Sequence, residues 1–226
     1  MLEFCDLEKI TEYEAIKKEI KNALCSLVPN KRESILIVGL GNREITCDNI
    51  GPLTVSKLLA TRHIKKELAE KIGLGEIKKV SVLETGVLGN TGMESAEITE
   101  AVVKKTKPDA VIVIDALAAG SLSRLYKTIQ FCNTGISPGS GVKNSREEIS
   151  EKSLLVPVIA IGIPTVVEAS VIARELTKKE DIIPTELILT PKECDSKSKQ
   201  ITDILASALN EFLQPSIDSQ VISQLV

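Results

Sequence analysis

A chain of 226 residues that is 43% hydrophobic holds enough apolar material for one sizeable core. Its 28 Lys and Arg against 31 Asp and Glu, a net charge of −3 without a basic stripe, argue against a direct nucleic-acid partner, and 2% aromatics with no Trp leave little to stack bases on. The five cysteines, Cys5, Cys25, Cys47, Cys132 and Cys194, form no C-x-x-C pair, the N-terminus is charged unlike a secretory signal, and no apolar run approaches the ~20 residues that span a bilayer, so a cytoplasmic protein without a membrane partner is expected.

From Leu7 to Leu27, apolar residues at Ile10, Tyr13, Ile16, Ile20, Leu24 and Leu27 recur at helical spacing and predict an amphipathic opening helix. Val28-Pro29-Asn30 ends it. Ile35–Val38 is an unbroken apolar run, the pattern of a strand buried on both faces, and stops at Gly39-Leu40-Gly41-Asn42, where two glycines let the backbone turn sharply. Asp48 follows in a loop, and Pro52 sits in the first turn of a helix predicted over LTVSKLLATRHI. Val80–Leu83 reads as a second strand, Thr85–Gly92 as a glycine-rich loop, and Met93 to Lys105 as a helix stopped before Pro108.

The third strand, Ala110–Ile114, is again unbroken and delivers Asp115 at its carboxyl end. Further strands are expected at Thr128–Phe131, Val158–Ile161 and Glu186–Thr190, and helices at Thr165–Leu176 and Lys192–Leu213. Strands alternating with helices give an α/β fold whose mainly parallel sheet is covered by helices on both faces. The expected organisation is one domain: a helical extension over 1–33, a core over 34–214 and a tail over 215–226.

Asp48 and Asp115 both follow core strands, where open α/β sheets carry their sites. Brought together, two carboxylates share a proton as acid and base or bind a metal ion; taken singly, each is as well read as a helix or turn cap. Gly39-Leu40-Gly41 is not a dinucleotide fingerprint, because Glu44 stands where a third glycine is needed. The Thr85–Gly92 loop offers backbone N–H groups to an anion, or is plain helix punctuation, and Asn133–Gly141 is rich enough in turn residues to bind extended peptide. Ser137 and Ser140 lack a base, since the single histidine, His63, falls inside a predicted helix, and Cys47 reads as packing for the same reason.

The stretches VGLGNREITCDNIGPL, ETGVLGNTGMESAEI, KTKPDAVIVIDALAAGSLSRL, TIQFCNTGISPGSGVKNSREEIS, PVIAIGIPTVVEAS and LILTPKE, in this order, resemble the germination protease family of spore-forming bacteria. That resemblance implies an endopeptidase that degrades small acid-soluble spore proteins in the spore core, on a fold similar to that of hydrogenase maturation proteases. It carries the catalytic pair over to Asp48 and Asp115. Substrate contacts are then expected at Asn42, Gly86, Gly89, Gly139 and Ser140, with the two glycine-rich loops positioning the peptide. The maturation proteases contact nickel with the help of a histidine that has no counterpart here, so no metal and no cofactor are assigned. A homo-oligomer, described as a tetramer in the family, is the implied assembly. Family members carry a longer N-terminal region with a removable pro-segment, whereas here about 34 residues precede the first strand, which leaves a non-catalytic, peptide-binding relative as the alternative.

Overall fold

The computed structural model describes residues 2–3, 10–28, 32–71, 74–139, 147–179, 181, 183 and 186–226. In chain order the elements are β1 (Leu2–Glu3), α1 (Ile10–Leu27), β2 (Ser34–Leu40), α2 (Ile50–Val55), α3 (Lys66–Lys71), β3 (Lys79–Gly86), α4 (Leu88–Thr91), α5 (Ser95–Thr106), β4 (Ala110–Ala119), β5 (Thr128–Cys132), α6 (Glu151–Leu154), β6 (Val158–Glu168), α7 (Ala169–Thr177), β7 (Ile188–Leu189), α8 (Cys194–Leu213) and α9 (Ser219–Leu225). The strands form one seven-stranded sheet in the order β1-β5-β6-β4-β2-β3, with β7 added to β6. β3, β2, β4 and β6 run parallel, while β1, β5 and β7 are antiparallel additions, so the sheet is mainly parallel as expected.

The unbroken apolar runs follow from helices on both faces. Ile35 and Ile37 of β2 and Ile112 and Ile114 of β4 face α1 and α8, where Ile20, Leu24, Ile204 and Leu205 are buried. Leu36, Val38, Val111 and Val113 point the other way, toward Ala96 and Val103 of α5 and Leu154 of α6. Each such side chain contributes about 1.5–3 kcal/mol on burial, and the alternation leaves no position for a polar residue between Ile35 and Val38 or between Ala110 and Ile114. At the amino end of β2, Asp109 Oδ2 accepts from the N–H groups of Glu33 and Ser34, both at 2.9 Å, which starts β2 and β4 in register. Among the described residues, no helix is long and apolar enough to cross a membrane.

Several elements differ from the sequence pattern. The opening helix is described from Ile10, and the expected turn from Leu7 to Lys9 lies outside the described residues. The helix expected over residues 53–64 ends at Val55. Tertiary hydrogen bonds take its backbone away: Asn210 Nδ2 donates to Lys57 O at 2.9 Å, Asn210 Oδ1 accepts from Leu59 N–H at 3.0 Å, and Thr61 and Arg62 donate to Val80 O at the start of β3. His63 therefore lies in an exposed turn, outside any helix.

Thr85 and Gly86 belong to β3, and the loop that follows is mostly the short α4, ended by Gly92 at φ 70°. β4 does not stop at Ile114 but continues to Ala119, so Asp115 is mid-strand. β6 likewise runs on to Glu168, because its extension pairs with β4 and β7, and the expected helix begins only at Ala169.

Candidate active site

The parallel strands dictate where a crevice opens. From β2 the chain moves to β3 on one side, then crosses to β4 on the other side of β2, so connections leave in opposite directions at the carboxyl ends of β2 and β4. Such a switch point is where open α/β sheets form their ligand crevices. Here the two strands part physically: β2 pairs with β4 only as far as Gly39↔Ile114, and its last residue, Leu40, pairs with Gly86 of β3. Asp48 follows β2 and Asp115 is the first residue of β4 beyond the parting.

The glycines bring Asp48 to this point. Gly41 has φ 110°, and a Cβ there would lie 2.1 Å from Asp48 O and 3.0 Å from Asp48 Oδ1. Glycine is thus required both for its backbone conformation and for the space that Asp48 occupies. One turn later, Gly39 and Gly51 touch so closely that a Cβ on either would come within 2.6 Å or less of main-chain oxygen, which lets α2 settle onto the strand ends.

Asp48 ends a single 3-10 turn, Thr46–Asp48, and its Oδ2 accepts the Asn42 N–H at 2.8 Å. The turn is fastened from outside as well. Thr165 Oγ1, fully buried on β6, donates to Cys47 O at 2.6 Å; Thr46 Oγ1 donates to Asp195 Oδ1 at 2.8 Å; Ser198 Oγ of α8 reaches Thr46 O at 3.4 Å. Asp115 is only 5% exposed, and its Oδ1 accepts the Ala116 N–H at 2.9 Å.

Both aspartates line one cavity of about 440 Å³, whose walls are otherwise largely apolar. No Lys, Arg or His is among the described residues lining it. Two carboxylates that meet in one site can divide acid and base roles between them. Among the described residues, no three His, Cys, Asp or Glu side chains converge as a metal-binding group.

Of the other sequence candidates, Gly139 lines the cavity, together with Ser137. Asn42 contributes its main-chain N–H to Asp48, while its side chain is turned to the Glu44 N–H at 3.0 Å. Gly86 ends β3 at φ 67° and offers its carbonyl to Ser95 Oγ at 3.4 Å; the next residue, Val87, reaches the cavity. Gly89 is exposed on α4 with nothing within 4 Å of where a Cβ would be. Ser140 lies outside the described residues.

Cys47 also lines the cavity, but burial pushes its thiol up, and the neighbouring Asp48 charge pushes it further, so it stays protonated near neutral pH. His63 belongs to a separate groove with Arg62 and Lys78 and serves neither cysteine nor serine. Sequence reasoning missed Thr165. The signal was present, a hydroxyl inside the apolar run VIAIGIPTVV, since a buried hydroxyl must find a partner.

The germination protease family model matches residues 6–178. A germination protease of Caldanaerobacter subterraneus subsp. tengcongensis is 41% identical over 94% of this chain and 76% of its own length. Another, from Clostridium acetobutylicum, is 39% identical over 98% of this chain and 80% of its own length. A solved nickel-iron hydrogenase maturation protease from Thermococcus kodakarensis overlaps 84% of this chain and 98% of its own at 16% identity, with a TM-score of 0.47. The chain belongs to the germination protease family and is by that membership a peptidase-type hydrolase.

Proposed function

We propose that this protein is an endopeptidase of the spore core that initiates degradation of small acid-soluble spore proteins, with Asp48 and Asp115 as its acid–base pair. One aspartate takes a proton from water as the water attacks the scissile carbonyl, and the other protonates the leaving amine. The observation that carries this reading is that two carboxylates from separate elements line a single cavity at the switch point of the sheet. The chain at Val87 and at Gly139 lines the same cavity, where main-chain N–H groups would serve the oxyanion, and a raised Cys47 thiol leaves the aspartates as the reactive groups. The assembly is a homo-oligomer, supported by the exposed Val221, Leu225 and Val226 on and just after α9, and light scattering on the purified chain measures it.

The test is cleavage of a purified small acid-soluble spore protein by the wild type, Asp48→Asn and Asp115→Asn. Each variant is expected to lose about 10²–10⁴-fold in kcat/KM while keeping its fold by circular dichroism. Cleavage that survives both substitutions refutes the mechanism.

A further inference from the structure

The stretch of β4 beyond Ile114 has a strand on one side only. β6 pairs with it from Asp115↔Gly162 to Ala119↔Val167, with one register shift between Leu117 and Ala118 where β6 has an extra residue, but β2 has already turned away. Among the described residues, therefore, Asp115 to Ala118 present a strand edge, and all four line the cavity. The direction of that edge follows from the ladder. Val111 donates its N–H to Pro157 O, on the β6 side. Main-chain groups alternate sides along a parallel strand, so Ala116 faces the line that β2 has vacated. Its N–H is held by the carboxylate of Asp115, an arrangement that a neighbouring strand would have pre-empted.

We infer that the substrate chain binds as an added β-strand along this edge of β4, in the place β2 leaves open. The inference rests on the peptidase reading above and supplies its mode of recognition. Three residue spacings along the edge cover about 10 Å, and Asp115 stands at its start, so a carbonyl in the added strand comes beside the carboxylate pair. The ligand is a segment of polypeptide drawn out flat, recognised through its main chain, with alternate side chains directed to opposite walls. Folded segments are excluded because their amides are already engaged.

The experiment begins by mapping the bond cleaved in a small acid-soluble spore protein by mass spectrometry. Peptides of about eight residues spanning that bond are then made with one backbone N-methyl group at each position in turn. They are measured against the full chain as competitive inhibitors and, labelled, by fluorescence anisotropy. Strand addition makes two positions separated by one residue lose about tenfold or more in affinity, while the position between them stays within about threefold. Equal sensitivity at all positions, or none at any, overturns the inference. Asp48→Asn and Asp115→Asn report separately on the chemistry. If they cleave normally while the alternation persists, the aspartate mechanism falls and strand addition stands; if they are inactive and the alternation is absent, the reverse holds.

Discussion

Replacing Gly41 by alanine probes how tightly the turn after β2 positions Asp48. The added Cβ would sit 2.1 Å from Asp48 O, and ordinary contact begins near 3.4 Å, so the turn must open by about 1.3 Å. The residue must also hold φ 110°, outside the regions that an L-alanine favours, at a cost on the order of 1–3 kcal/mol. Since a displacement of about 1 Å in a reacting group costs on the order of 10²-fold in rate, kcat/KM on a small acid-soluble spore protein should fall by about that factor, chiefly in kcat. The unfolding midpoint in urea should fall with it. Gly120→Ala is the matched control: the site is exposed, its φ is ordinary and a Cβ meets nothing within 4 Å, so both activity and stability should stay at wild-type values. Wild-type turnover in Gly41→Ala, or equal damage from Gly120→Ala, would refute the reasoning.

Thr165→Val keeps the shape of a fully buried side chain but leaves Cys47 O without its 2.6 Å donor. The expected result is a loss of about 1–3 kcal/mol in urea unfolding, with a lower kcat at nearly constant KM, both recovered in Thr165→Ser. Asn210→Leu removes the two hydrogen bonds that hold the Lys57 carbonyl and Leu59 N–H, so about 2–4 kcal/mol should be lost without a change in KM. Glu211 accepts Lys17 and Lys21, each at 2.8 Å; burial opposes its charge, but those hydrogen bonds outweigh it and hold the carboxyl below the ordinary glutamate range. Its stabilisation is therefore present above that range and lost as pH falls through the lowered value, so Glu211→Gln should unfold at lower urea than wild type at neutral pH, with the difference shrinking as the pH is taken below the lowered value.

The sequence was legible where one physical cause dominated. Ile35–Val38 and Ala110–Ile114 are apolar on both faces because helices cover both faces, so the strands and the carboxylates behind them could be found from burial pattern alone. Strand ends were not legible, because they depend on pairing: Thr165 to Glu168 resemble the first turn of a helix until β7 and the extension of β4 appear beside them. The helix expected over residues 53–64 failed for a similar reason. Its apolar spacing is sound, yet Asn210, about 150 residues away in sequence, competes for its backbone, and local pattern carries no trace of that partner.

The same distinction separates the two aspartates. Asp115 is held by the ladder itself, buried and in register with Gly162 of β6. Asp48 rides on a turn held by single hydrogen bonds from three directions: the Asn42 N–H donates to its own carboxylate, Thr165 of β6 donates to the Cys47 carbonyl, and Thr46 bonds to Asp195 and Ser198 of α8. A shift of α8 against the sheet would therefore move Asp48 and leave Asp115 in place. The separation of the pair, on which any shared proton depends, is set by contacts outside the cavity as much as by its walls. If the proposed aspartate pair is the acid–base couple, Asp195→Ala or Ser198→Ala should lower kcat in the cleavage assay, although neither side chain lines the cavity.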